Sequence, residues 1–160
     1  MSTFIEMKKK NQLDYNAWNE HLNNTRERTN YSIRRMDLLI ISICGAGIYI
    51  IFETLREFKT GKIPLENSNL LLICGLCFLV AIILNFISQK TGYYSNNNEE
   101  RYIYLELDKI KGKKIDVCEQ EAIDRVVQKF NKITDILNIV SITLMLIGLI
   151  LLAVFNFNLF

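Results

Sequence analysis

The chain has 160 residues, 50% of them hydrophobic and 22% charged, with a formal net charge of +2. Three uncharged apolar runs, Leu38 to Phe52, Leu70 to Ile87 and Ile136 to Phe155, occupy much of it. What remains, two modest polar segments and a short loop, is too little for a separate enzyme domain with its own core.

Residues 1–35 read as a cytoplasmic helical arm. Leu13, Ala17, Trp18, Leu22, Thr25, Thr29 and Ile33 recur at spacings of three to five among Asn, Arg and Glu, the pattern of a weakly amphipathic helix. No Pro or Gly interrupts the chain before Cys44, so the helix is expected to continue into the first span. The arm is either solvated or an interfacial, oligomerising helix with Tyr15 and Trp18 at the headgroups or against a neighbouring subunit.

A spanning helix needs roughly 20 apolar residues, each rising about 1.5 Å through about 30 Å of hydrocarbon. Ile136 to Phe155 meets this unaided. The second run extends through Asn69 and Ser88, and the first borrows Met36 and Asp37 or Thr54 and Leu55. Spans are thus predicted at 36–55, 69–89 and 135–155, their interiors free of Asp, Glu, Lys, Arg and His. The first begins too late, and lacks the small-residue cleavage pattern, for a removed secretory signal. Lys8, Lys9, Lys10, Arg26, Arg28, Arg34 and Arg35 precede it, and nine more basic residues, Lys90 to Lys132, lie between the second and third spans. The excess of positive residues predicts a multi-pass protein of the bacterial inner membrane with its N-terminus cytoplasmic and its tail, 156–160, outside.

The outer loop, 56–68, holds Gly61 and Pro64 and reads as a turn. The inner segment, 90–134, reads as a cytoplasmic helical hairpin. After Lys90 to Asn98, Glu99 and Glu100 begin a helix that Gly112 ends. Asp116, three residues before Glu119, caps the next. Ile123, Val126, Val127, Phe130, Ile133 and Leu137 then repeat at helical spacing into the third span, giving a helix about 58 Å long if unbroken from Val117 to Phe155. This stripe packs on Tyr102, Leu105 and Ile110, on the arm, or on another copy of the chain. The fold class is therefore all-α, with three transmembrane helices, an N-terminal amphipathic helix and a cytoplasmic hairpin.

Few residues suggest chemistry. Cys74 and Cys77 have dithiol spacing, but both fall in an apolar helix where thiolates are disfavoured, and the outer loop has no second pair for exchange. The single histidine, His21, has no ligand cluster around it, and phosphate loops, dinucleotide fingerprints and serine elbows are absent. We expect no enzyme, no metal and no cofactor. Without ionisable groups inside the spans, ion-coupled transport is disfavoured. Asn85, Asn138, Ser141 and Thr143 supply the intramembrane polarity, as interhelical hydrogen bonds or as a pore lining. Ser42, Gly45, Ala46 and Gly47 on the first span, Gly75 and Ala81 on the second and Gly148 on the third mark faces where helices approach closely. Arg34, Arg35, Lys111, Lys113 and Lys114 are candidate contacts for anionic lipid; nearby acidic residues dilute the field and disfavour nucleic acid.

The stretch Arg34-Arg-Met-Asp-Leu-Leu-Ile-Ile-Ser-Ile-Cys-Gly-Ala-Gly-Ile-Tyr, preceded by a polar helical arm, resembles small multi-span membrane proteins of bacterial antiviral defence loci. Two-span effector domains paired with nucleotide-sensing systems and membrane ancillary proteins of type VI CRISPR loci are the relatives in mind. The likeness covers residues 10–90. It implies a self-associating effector or accessory that forms a pore or perturbs the membrane, with membrane lipid, its own copies and a defence-system protein as partners. The third span, and the lack of the arginine-then-histidine ribonuclease motif of one ancillary group, set this chain apart, and no functional residue carries over. The competing expectation is an immunity-type or regulatory protein that binds a toxin or partner subunit without conducting.

Overall fold

A computed structural model describes residues 2–61 and 68–159, and side chains within 12–28, at 31, and within 37–61 and 68–158. It contains three helices among the described residues, α1 (Ser2–Lys59), α2 (Ser68–Ile110) and α3 (Val117–Leu159), and no strand. Each includes a segment long and apolar enough to cross a membrane, within Asp37–Lys59, Ser68–Ile110 and Val117–Asn158. The chain is a multi-pass membrane protein.

Two differences from the sequence expectation concern helix continuity. α1 runs past the first apolar stretch to Lys59 and ends at Thr60 and Gly61, where Gly61 has φ 72° and its N–H donates to the Phe58 carbonyl at 3.0 Å. The rest of the outer loop, 62–67 with Pro64, lies outside the described residues. α2 continues unbroken through Lys90 to Asn98, where composition predicted a loop. Tertiary contacts override the weak helix propensity of the Asn run: Ser95 is buried against α3, and the Asn98 side chain donates to its own helix at the Tyr94 carbonyl, 2.7 Å away.

The chain divides into two compact units. One comprises 1–33 and 90–133. Within it Leu22, Ile103 and Leu107 form a small core against which Tyr15 and Trp18 pack, leaving both rings half-buried. Lys111 sits over the Tyr15 ring at 5.2 Å. Pairs such as Ser95 with Asn131 and Arg101 with Glu119 run antiparallel between α2 and α3. Of the α3 stripe, Ile123 and Val127 are buried, Phe130 meets Tyr94 and Val126 stands exposed.

The second unit comprises 34–89 and 134–160. Its core takes Ile40, Cys44, Ile51 and Phe58 from α1, Leu71, Cys74, Phe78 and Ala81 from α2, and Met145, Leu152 and Phe155 from α3. Buried positions recur at alternating intervals of three and four residues: 40, 44, 47, 51 on α1 and 71, 74, 78, 81, 85, 88 on α2. A 3.5-residue repeat keeps one face of each helix against its neighbours, as in coiled coils. The outward faces carry large exposed apolar side chains, among them Leu38, Phe52, Leu72, Leu79, Ile139 and Ile150. Such a belt is expected of a surface in contact with lipid.

Candidate functional site

The buried faces of the second unit bring polar groups together. Small residues fall every seventh position on α2, at Cys74, Ala81 and Ser88, and each makes a hydrogen bond to α3. Cys74 Sγ donates to the Gly148 carbonyl at 3.0 Å, Ser141 Oγ donates to the Ala81 carbonyl at 2.8 Å, and Ser88 Oγ donates to Asn138 Oδ1 at 2.6 Å. Only short side chains let helices come close enough for a side chain to reach the neighbouring backbone. The cysteine at 74 is a free thiol used as a small interhelical donor.

Asn138 and Ser141 therefore bridge helices. Thr143 is exposed and donates to its own helix at the Ile139 carbonyl, 2.8 Å away. Asn85 is 0% exposed, and its side chain faces the Asp37 carboxylate. Beside it stands a residue that sequence reasoning placed at the edge of the span. The Asp37 carboxylate is turned toward the side chains of Gln89 and Asn85, and its Oδ2 is buried. Asp37 begins the first apolar segment, at the span end where the sequence placed it, and its side chain turns to the packed side. The cause of that turn is helical phase: Asp37 precedes Ile40, Cys44, Gly47 and Ile51 by 3, 7, 10 and 14 residues, which sets it on the packed face. That spacing was the signal available in the sequence.

The small residues divide into two classes. Gly47 and Gly148 flank the ring of Phe78, itself 0% exposed, and a Cβ on either would lie under 3.0 Å from ring carbons. Ala81 is buried, and Gly75 faces Ile51 at ordinary contact distance. Ser42, Gly45 and Ala46 instead lie on the outer surface, and nothing comes within 4 Å of where a Gly45 Cβ would stand. Among the described residues these three positions are exposed and make no close helix approach.

Lys111, Lys113 and Lys114 are exposed at the turn after α2, and Lys113 is paired with Asp108 at 2.9 Å. The side chains of Arg34 and Arg35 lie outside the described residues. In the first unit a cleft of about 300 Å³ is lined by Leu22, Thr25, Arg26, Tyr93, Asn96, Asn97 and Glu100. Arg26 is engaged by the Glu100 carboxylate and by the Tyr104 hydroxyl at 3.1 Å. The Glu100 bond foremost, and that to Tyr104, raise the pKa of this exposed guanidinium, so the cleft holds a paired, permanently charged arginine.

Comparison with protein-family models, with curated proteins and with solved structures found no match to this chain.

Proposed function

We propose that the protein acts in the bacterial inner membrane as a self-associating effector or accessory of antiviral defence that perturbs membrane permeability, its N-terminus cytoplasmic and its C-terminus outside. The observation that carries the self-association is the open face of α1 formed by Ser42, Gly45 and Ala46. Ser42 and Ala46 stand four apart, the small-xxx-small spacing that lets two membrane helices meet backbone to backbone, and among the described residues no helix covers it. Defence and permeability rest on the resemblance of the Arg34 to Tyr49 stretch and its preceding arm.

A second reading is favoured by a different observation. Asn85 and Ser141 are fully buried within one chain, and Asn138 is bonded to Ser88, so three of the four polar residues that would wet a pore are engaged in or covered by the chain's own packing. That arrangement suits a membrane protein that docks a toxin or partner subunit without conducting. The mass of the purified protein in detergent, followed by ion flux into liposomes with the same sample, separates the two. A defined assembly of several copies that leaks ions is expected of the effector. Monomers or dimers that stay tight would overturn it and leave the partner-binding reading.

A further inference from the structure

The outward faces of α2 and α3 can be followed from the apolar segments into the polar ones, because neither helix is broken between them. On α3 the exposed side chains Ile136, Ile139, Leu146 and Ile150 fall on a repeat of alternating three and four residues, in which Thr143 takes the remaining place. Continued towards the start of α3, the same repeat reaches Lys132, Lys129 and Arg125, all exposed. On α2 the exposed Leu76, Leu79, Ile83 and Phe86 lead by the same steps to Lys90 and Tyr93. On each helix one continuous stripe thus changes from hydrocarbon to ammonium or phenol groups within about one turn.

What covers these cations follows from their surroundings. Among the described residues no ion pair engages Lys90, Lys129 or Lys132, whereas Arg26, Arg101, Lys109 and Lys113 each meet a carboxylate. Of the nearby acids, Asp124 accepts from the Gln128 side chain at 2.9 Å and Asp135 lies one residue off the repeat. Tyr93 and Tyr94, one turn beyond Lys90, are exposed with ring centroids 6.0 Å apart, and tyrosine past the end of an apolar segment is characteristic of the membrane–water interface. Lys90 and Lys132 stand about 6 Å along their helices from Phe86 and Ile136, and Lys129 about 11 Å. Headgroups occupy about 5–8 Å on each side of the hydrocarbon, within reach of a lysine stem. The antiparallel pairing of Ser95 with Val127 and Asn131 sets Lys90 and Lys132 at the same end of the first unit. The turn with Lys111, Lys113 and Lys114 has different surroundings: Lys111 sits over the Tyr15 ring, and Lys113 is paired with Asp108.

We propose that Lys90, Lys129 and Lys132, with Tyr93, form a rim that binds the phosphates of anionic phospholipid headgroups. The lipid tails then lie along the apolar part of the same stripes, and the headgroup supplies the negative charge that the chain does not. The inference rests on the membrane-spanning helices and holds whether or not copies associate or conduct. It moves the lipid contact from the turn after α2 to the ends of the apolar segments.

The test is lipid retention by the full-length protein in a neutral detergent, read by native mass spectrometry as phosphatidylglycerol or phosphatidylcholine with the same acyl chains is titrated in. Phosphatidylglycerol is expected to be retained preferentially. Lys90→Gln, Lys129→Gln and Lys132→Gln combined are expected to weaken its binding at least about tenfold, since one lysine at an anionic lipid surface is worth about fivefold. Lys111→Gln, Lys113→Gln and Lys114→Gln combined are expected to leave it unchanged. Equal retention of the two lipids, a preference that survives the first triple variant, or one that falls with the second would overturn the proposal. Should the first variant fail to fold, phosphatidylglycerol with a photoreactive headgroup decides on the unaltered protein: adducts within 90–93 and 129–132 support the rim, and adducts only elsewhere, or none, overturn it.

Discussion

Phe78 is fully buried with a glycine on each of the two helices beside it, Gly47 and Gly148. A methyl group on Gly47 would enter the space of the ring, so Gly47→Ala is expected to destabilise the folded protein by about 1–3 kcal/mol, the usual cost of overpacking. Gly45, two positions away, has nothing within 4 Å of a Cβ, and Gly45→Ala is expected to change single-chain stability by less than about 0.5 kcal/mol. Denaturant unfolding in detergent checks both; equal effects would mean that the two glycines are not on opposite faces of α1. Composition alone showed a cluster of small residues from Ser42 to Gly47, but not which of them packs inward. That distinction depends on helical phase, and the buried positions 40, 44, 47 and 51 carry it.

Helix ends follow local chemistry closely. After α2, Gly112 adopts φ 80°, its N–H donates to the Lys109 carbonyl at 2.9 Å, and the Lys113 N–H donates to the Asp108 carbonyl at 3.0 Å, the paired bonds of a Schellman motif. Four residues on, Asp116 Oδ1 accepts from the Cys118 N–H at 2.9 Å and the Glu119 N–H at 3.4 Å, capping α3. Asp116→Ala is expected to cost about 1 kcal/mol, and Gly112→Ala about 1–2 kcal/mol for a forced left-handed residue. Thermal melts followed by circular dichroism measure both, and Asp116→Asn should restore most of the loss, since its side chain also accepts. Loss-free variants would mean the turn does not limit stability. Such residues are legible because a left-handed glycine and an N-cap aspartate act within a few residues of themselves. The passage from Lys90 to Asn98 was not legible. Its helicity depends on Ser95 reaching Val127 and Asn131, more than 30 residues away, a contact that local propensity cannot foresee.

At the scale of the molecule, three apolar segments account for the long helices and for the belt of exposed Leu, Ile and Phe that would be intolerable in water. This part of the fold was readable because hydrocarbon imposes a length and a composition on any segment that crosses it, whatever the rest of the sequence does. The interior of the second unit was harder to read. Its seven-residue recurrence at Cys74, Ala81 and Ser88 mixes a thiol, a methyl and a hydroxyl, which share smallness and not polarity, so a search by chemical type passes over it. Three crossings would set the two ends on opposite sides of the membrane, and the charge distribution predicts an N-terminus inside. The most direct test of the three-span account is therefore the accessibility of short peptide tags at each end in intact spheroplasts. A C-terminal tag labelled from outside, with an N-terminal tag reached only after permeabilisation, is the expected result; both tags on one side, or a protein released from the membrane by alkaline carbonate, would contradict it.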